Sequence, residues 1–302
     1  MSRVLVTGAT GFIGRQVVPL LAAAGHDVHA VYSRMPGADT PGVRWHRADL
    51  LNTGASTRLV KEVAADVLVH LAWYAEPGKY WTSPRNHDWL TASLELARAF
   101  ADVNGRRIVG AGTSAEYDWS VGGVCRENET PLRPSTLYGE CKLELWHRLQ
   151  LLGSATGTEV AWGRVFFLYG PHEPPDRLVS SAIRAMLRGE PARSTHGAQV
   201  RDFLHVQDVA SAFVALANSP VMGPVNIASG MPVSLRHILE IIAAHIGRPD
   251  LLALGAIPAR VGEPATLVGD VRRLCGEVGW TQTLSLPEGV KQTVEWWRGH
   301  LE

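Results

Sequence analysis

The stretch "VLVTGATGFIG", residues 4–14, places glycines at positions 8, 11 and 14 between an apolar run and a helical pattern. Such glycines serve a tight turn, a close approach of the backbone to a pyrophosphate, and the packing of helix on strand. A helix N-terminus also attracts phosphate. The alternative is an ordinary strand-to-helix turn. Because strand, spacing and helix agree, we predict a dinucleotide-binding turn. It comprises Gly8, Thr10, Gly11, Phe12, Ile13 and Gly14.

Outward from this turn, short β-branched runs alternate with helical patterns, which predicts a parallel sheet covered by helices on both faces. The candidate strands are residues 3–8, 27–32, 43–48, 66–72, 106–112 and 159–167. We therefore expect an α/β fold with a doubly wound Rossmann domain over 1–170, to which 200–228 return. A smaller substrate-binding lobe is expected mainly over 171–302, with the site in the cleft between the two.

Composition narrows the possible partners of the chain. The 302 residues are 46% hydrophobic and carry a formal net charge of zero, so the chain can form a sizeable core and no nucleic-acid partner is expected. No leader pattern and no bilayer-length apolar run is visible, which predicts a cytoplasmic protein without a membrane partner. Cys125, Cys141 and Cys275 lack metal-site spacing, so we expect no metal.

The end of the second candidate strand indicates which cofactor is bound. NAD enzymes of this fold usually carry an acid there, for the ribose hydroxyl. Here Tyr32 is followed by Ser33 and Arg34, a hydroxyl and a guanidinium suited to a 2′-phosphate. We predict NADP (NADPH); NAD is the alternative, with Arg34 a solvated loop residue. Asp49 is placed to accept from the adenine amino group. The other residues expected to line the cofactor are Leu50, Leu71 and Ala72.

Tyr138 and Lys142, in "STLYGECK" (135–142), stand four residues apart in a predicted helix and therefore on one face. An adjacent ammonium stabilises a phenolate, which makes a phenol a better acid or base near neutral pH. The alternative is a half-buried tyrosine beside a solvated lysine, since the pair is common by chance.

Several motifs in order carry a family resemblance. They are the glycine turn, "VHLA" (69–72), "GTSAEY" (112–117), the Tyr-x-x-x-Lys pair, "RVFFLYGP" (164–171) and "RDFLHVQDVA" (201–210). Together they resemble the extended short-chain dehydrogenase/reductases, in the NAD(P)-dependent epimerase/dehydratase branch, whose members mostly act on nucleotide sugars. "NIASG" (226–230) extends the likeness over nearly the whole chain.

The resemblance implies a catalytic triad of Thr113, Tyr138 and Lys142. Tyr138 would transfer the proton, and Lys142 would also hold the nicotinamide ribose. Thr113 would donate to the sugar oxygen. The bound nicotinamide would supply the hydride chemistry.

Departures from the family pattern narrow the reaction. Ser114 and Ala115 stand where 4,6-dehydratases carry Asp-Glu, and enzymes that epimerise at C3 and C5 carry Cys at the place of Ala115. Neither reaction is therefore expected. Glu116 follows, at a position that faces away from the sugar in the family. Trp89 stands where the family has an asparagine that orients the site.

Residues 72–81 concentrate aromatic side chains after the fourth strand: Trp73, Tyr74, Tyr80 and Trp81. They would stack on a sugar or close a lid over it, or else pack between the lobes. The resemblance implies that Arg201 and Arg260 clamp the nucleotide diphosphate; the alternative for Arg201 is an ion pair with Asp202 or Asp208. The residues expected to bind substrate are Trp73, Ser114, Arg201 and Arg260.

The leading hypothesis is an NADPH-dependent reductase of a nucleotide-linked 4-keto-6-deoxy sugar. An NAD-dependent nucleotide-sugar 4-epimerase is the main alternative, and a non-catalytic NADP-sensing module is a third possibility. Relatives also lead us to expect a homodimer through the helix that bears Tyr138. Leu143, Leu145 and Leu149 suit that seam or, equally, an intramolecular core.

Overall fold

A computed structural model describes residues 1–259 and 262–301. The strands are β1 Arg3–Thr7, β2 Asp27–Tyr32, β3 Val43–Arg47, β4 Val67–His70, β5 Arg107–Thr113, β6 Gly123–Cys125, β7 Glu159–Val165, β8 Phe167–Tyr169, β9 Ala192–Arg193, β10 Val200–His205, β11 Gly223–Ile227, β12 Pro232–Ser234, β13 Leu252–Ala253 and β14 Thr266–Gly269. The α-helices are α1 Gly14–Ala23, α2 Ala55–Val63, α3 Arg85–Asp102, α4 Leu137–Thr156, α5 Leu178–Leu187, α6 Val206–Asn218, α7 Leu235–Ile246 and α8 Leu286–Arg298. Short 3₁₀ turns cover Ser114–Glu116 and Pro249–Leu251, and a π-helical turn covers Arg273–Glu277.

The main sheet has seven parallel strands in the order β11-β7-β5-β4-β1-β2-β3. Val4 of β1 lies opposite Val28 of β2 on one side and Val67 of β4 on the other. The chain therefore winds in one direction from β1 to β3 and in the other from β4 onward. Ligands of such sheets bind where this reversal occurs, outside the carboxyl ends of the strands. The arrangement confirms the predicted doubly wound Rossmann fold.

Both faces of this sheet are buried, which explains why its strands are apolar along their whole length. Val4 and Val6 pack with α1 and α6 on one face, while Leu5 between them packs with α2, α3 and α4 on the other. Leu145 and Leu149 of α4 are buried within this second layer. Of the three leucines considered for a dimer seam, only Leu143 is half-buried. The homodimer itself stays a prediction.

A smaller sheet, ordered β12-β10-β14-β6, lies beside the main one, and β8 pairs with β10. Helices α5, α7 and α8 enclose a separate apolar core with Phe203 of β10. After β10 and α6 the chain returns to the main sheet, where β11 pairs with β7. The division of the chain at residue 170 stays a prediction.

Two predicted strands end differently in the structure. The run 66–72 is a strand only over Val67–His70, because Leu71 and Ala72 turn to pack against Gly8. The run 159–167 is split, since β7 ends at Val165 and β8 then pairs with β10 of the other sheet. Among the described residues, no helix is both long and apolar enough to cross a membrane.

Candidate active site

The glycine turn brings the backbone after β1 against the backbone after β4. Gly8 has φ +67°, and a Cβ there would lie 2.7 Å from the amide nitrogen of Ala72. A Cβ on Gly14 would overlap the carbonyl oxygen of Gly8. The N-cap residue of α1 is Ile13, whose side chain makes no capping hydrogen bond. Thr10, Phe12 and Ile13 lie in this turn. A backbone cradle closed to side chains, at an uncapped helix start, fits a pyrophosphate.

A cleft of about 770 Å³ at the ends of β2 and β3 is lined by Ser33, Asp49 and Arg58 among others. The last residue of β2 is Tyr32, so no acid stands at that strand end. Arg34 is exposed two residues further on. The Asp49 carboxylate accepts from the amide of Leu51 at 3.1 Å, which holds it at the cleft. The size and polarity of this cleft fit the adenosine end of a dinucleotide.

The other residues predicted to line the cofactor lie at the same edge of the sheet. Leu50 and Ala72 are buried, and Leu71 is half-buried. Ala72 follows β4 and touches the glycine turn, so it lies where β1 and β4 meet.

The first turn of helix α4 brings the predicted catalytic residues together. The Thr136 side chain caps it by accepting from the amide of Gly139 at 3.1 Å. A Cβ on Gly139 would overlap the carbonyl oxygen of Ala115, so the helix approaches the turn after β5 closely. Tyr138 consequently lies beside Thr113 at the start of the helix.

Lys142 is buried one turn further along α4. Its ammonium donates to the carbonyl oxygen of Ala111 at 2.8 Å and lies 6.0 Å from the centroid of the Tyr138 ring. It also stands 3.9 Å from the centroid of the Trp73 ring, a cation–π contact. Burial lowers the pKa of Lys142 to about 7, against an opposing effect of the Glu116 carboxylate. The group therefore exchanges its proton near neutral pH.

Opposing influences act on the Tyr138 phenol. Burial raises its pKa above the usual value of a phenol and the neighbouring Tyr80 adds to this, while the Thr113 side chain and the positive charge of Arg177 act in the opposite direction with smaller effect. His70 below the site stays neutral, because burial and the Lys142 charge hold its pKa at about 3. Its ring bonds the hydroxyls of Thr7 at 2.7 Å and Ser93 at 2.8 Å.

Aromatic rings from the loop after β4 surround the phenol. The centroids of Tyr80, Trp81 and Trp73 lie 4.9, 5.8 and 6.5 Å from that of Tyr138, all in edge contacts. Tyr74, in contrast, turns to the surface and donates to Glu76 at 2.8 Å. These rings form an apolar wall around the Tyr138 phenol, of the kind that excludes water from a reacting group.

Asn86, which was not among the predicted site residues, holds this wall in place. Its amide accepts from the Trp73 indole at 2.8 Å and donates to the Tyr80 carbonyl oxygen at 2.7 Å. Trp89, one turn later on α3, packs 6.5 Å from Trp73. The signal in the sequence was an asparagine one helical turn before Trp89. Arg177, at the N-cap of α5, was also missed, and no motif indicated it.

The predicted substrate residues are arranged less simply. Ser114 is buried, and its carbonyl oxygen accepts from the Trp119 indole at 2.8 Å. Arg201 is 3% exposed and pairs with Glu263 at 2.6 Å. The alternative partners considered for it were wrong, because Asp202 accepts from Ser229 and Asp208 from Thr283. Arg260 lies outside the described residues.

A threonine hydroxyl, a phenol and an ammonium thus meet at the carboxyl ends of the strands, beside the glycine turn. Such a set can protonate or deprotonate an oxygen on a carbon that gains or loses hydride.

Comparisons with known proteins identify relatives of this fold and site. The sequence profile described as "NAD dependent epimerase/dehydratase family" matches residues 4–228. UDP-glucuronic acid decarboxylase 1 of Xenopus tropicalis is 29% identical over 99% of this chain and 73% of its own length. The structure of MoeE5 in complex with UDP-glucuronic acid and NAD is 35% identical, with TM-score 0.84 over 99% of this chain and all of that one. The UDP-glucose 4-epimerase of Thermus thermophilus complexed with NAD is 27% identical, with TM-score 0.86 over 98% and 99% of the two chains.

Proposed function

The chain belongs to the NAD-dependent epimerase/dehydratase family, and on that premise we propose that it reduces the C4 ketone of a nucleotide-linked 4-keto-6-deoxy sugar with NADPH. The observation that carries this choice is the end of β2. Ser33 lines the adenosine cleft there, Arg34 follows at the surface, and no acid stands at the strand end. A guanidinium and a hydroxyl favour a 2′-phosphate, whereas an acid would repel it.

The residues that would hold the cofactor follow from the geometry of the fold. The Gly8–Gly14 turn would bind the pyrophosphate, Ser33 and Arg34 the 2′-phosphate, and Asp49 the adenine. When bound, NADPH supplies the hydride. Tyr138 donates its phenolic proton to the O4 oxygen of the sugar, and Thr113 donates a hydrogen bond to the same oxygen. The Lys142 ammonium stabilises the phenolate that remains.

Elimination of water fits the site poorly. Ser114 and Ala115 offer no acid or base beside Thr113, and both are buried. The carboxylate of Glu116, which follows them in the sequence, is fully buried and bonded to Arg164. These contacts support reduction over dehydration.

A second candidate is an NAD-dependent 4-epimerase, which would use the same three side chains. It is favoured by the relatives, since two of them were solved with NAD and one is itself a 4-epimerase. In this case Arg34 would take no part in binding.

Calorimetric titration separates the two candidates. We expect the cofactor-stripped protein to bind NADPH at least about tenfold more tightly than NADH, a difference of about 1.4 kcal/mol. Arg34→Ala should remove most of that preference and leave NADH affinity unchanged, because only the 2′-phosphate loses a partner. Arg44→Ala is the control: Arg44 is also exposed, but lies next to Asp27 at the opposite end of the strands.

The opposite result would be NAD retained on purification and no preference for the phosphate. It would remove the argument for NADPH and favour the epimerase.

A further inference from the structure

Glu116 is buried directly behind the catalytic threonine, and three different residues donate hydrogen bonds to its carboxylate. One oxygen accepts from the backbone N–H of Thr113 at 2.8 Å, and the other from the Arg164 guanidinium at 2.7 Å. The Trp162 indole N–H donates to both oxygens, at 3.0 and 3.1 Å. Glu116 and Arg164 are each 0% exposed.

The strand that carries Thr113 is shaped to admit this group. Trp162 of β7 lies opposite Gly110 of β5, and a Cβ on Gly110 would overlap its ring. A Cβ on Gly112 would overlap the indole nitrogen of Trp162 and come within 2.6 Å of the Glu116 carboxylate. Two glycines in "GAGT" therefore leave the space in which the indole and the carboxylate meet beneath Thr113.

We propose that Glu116 is a positioning residue for the reaction, which fixes the backbone of Thr113 and places a negative charge behind Lys142 and Tyr138. The effect that we expect on turnover rests on the proposed function. The Thr113 hydroxyl also accepts from the amide of Ala115 at 3.2 Å, so the residue is held at its backbone and at its side chain.

The charge of Glu116 acts on both proton-carrying groups of the site. It raises the pKa of Lys142, and it raises that of Tyr138 as a smaller contribution. Lys142 also faces His70, which is neutral, and Tyr138. The groups that face Tyr138 from other elements are Tyr80, Thr113 and Arg177.

The sign of the expected change follows from these charges. Without the carboxylate, the ammonium form of Lys142 loses a favourable neighbour, so its pKa falls below about 7. The uncompensated Arg164 cation acts in the same direction. As pH rises, activity that requires protonated Lys142 is therefore lost at a lower pH than in the wild type.

The rival explanation is that Glu116 only neutralises a buried arginine. Glu127 offers a matched control, because it is a buried carboxylate of the same polar cluster, and its backbone carbonyl accepts from Arg164 at 3.3 Å. Its side chain, however, accepts from the amide of Asn226 and not from Thr113.

The experiment compares Glu116→Gln and Glu127→Gln in the full chain. With NADPH and a 4-keto-6-deoxy nucleotide sugar, we expect Glu116→Gln to lower kcat about 10–100-fold. In the pH profile of kcat/KM, the fall in activity on the basic side should shift to lower pH by about one unit. Glu127→Gln should keep the wild-type pH profile on the basic side. A Glu116→Gln protein that is less stable but keeps the wild-type kcat and pH profile would overturn the proposal.

A second readout does not depend on turnover. Protein labelled with ¹³C at the lysine ε-carbons contains four lysines, and Lys142 is assigned by its absence in Lys142→Met. Its titration should move to lower pH in Glu116→Gln and stay unchanged in Glu127→Gln. If the wild type reduces no keto sugar, the proposed function fails, yet this titration still decides whether Glu116 controls Lys142.

Glu116→Asp covers the case in which the glutamine variant does not fold. Aspartate keeps the charge but is one methylene too short to reach the Thr113 amide. We expect a lower kcat with an unchanged Lys142 titration. Wild-type kcat in this variant would contradict the positioning role.

Discussion

Tyr138→Phe should lower kcat for keto-sugar reduction by about 10²–10⁴-fold while leaving NADPH affinity nearly unchanged. The substitution removes only the phenolic oxygen, so the edge contacts of the ring with Tyr80, Trp81 and Trp73 remain. The loss is confined to the proton transfer. Steady-state kinetics and calorimetry on the same preparation measure the two quantities.

Tyr74→Phe is the matched control, since it makes the same change at a hydroxyl that bonds Glu76 at the surface. It should keep wild-type kcat. A Tyr138→Phe enzyme with more than about a tenth of wild-type kcat would rule out the phenol as the proton donor, given the usual size of such effects.

The second large effect concerns stability. Arg164→Met should lower the free energy of unfolding by about 3–5 kcal/mol, because it leaves the Glu116 carboxylate buried without its cation. Both partners are fully buried, so solvent does not screen the loss. Urea denaturation followed by circular dichroism measures the change.

Arg106→Met is the comparison at the surface. Arg106 stands 3.7 Å from Glu159 with its side chain 56% exposed, and removing it should cost no more than about 1 kcal/mol. Adding Glu116→Gln to Arg164→Met should restore part of the lost stability, since the unpaired charge disappears. An Arg164→Met protein as stable as Arg106→Met would show that the buried pair contributes little.

The sequence could predict features that depend on local pattern. The glycine turn, the apolar strands and the Tyr138–Lys142 spacing each reflect a short-range rule, namely turn geometry, burial on two faces and helical periodicity. The structure places these groups at one edge of the sheet, as the predicted fold requires.

Features that depend on distant pairing could not be read from the sequence. Glu116 and Arg164 are separated by 48 residues, and neither carries a local signal of its partner. Arg201 was compared with neighbouring acids, but its partner Glu263 lies 62 residues away. Asn86 was not predicted because its partners, the Trp73 indole and the Tyr80 carbonyl, lie in the loop before α3, and no local pattern indicates such hydrogen bonds.

The late return of β11 to the main sheet has a consequence for synthesis on the ribosome. When β7 emerges, its outer edge has no neighbour until β11 follows, about 60 residues later. The layer of α6 against α1 is missing for much of the same interval. At typical elongation rates this lasts on the order of 3–12 s. During that time the nascent chain exposes an open strand edge and the apolar face of α1, where a chaperone would be expected to bind.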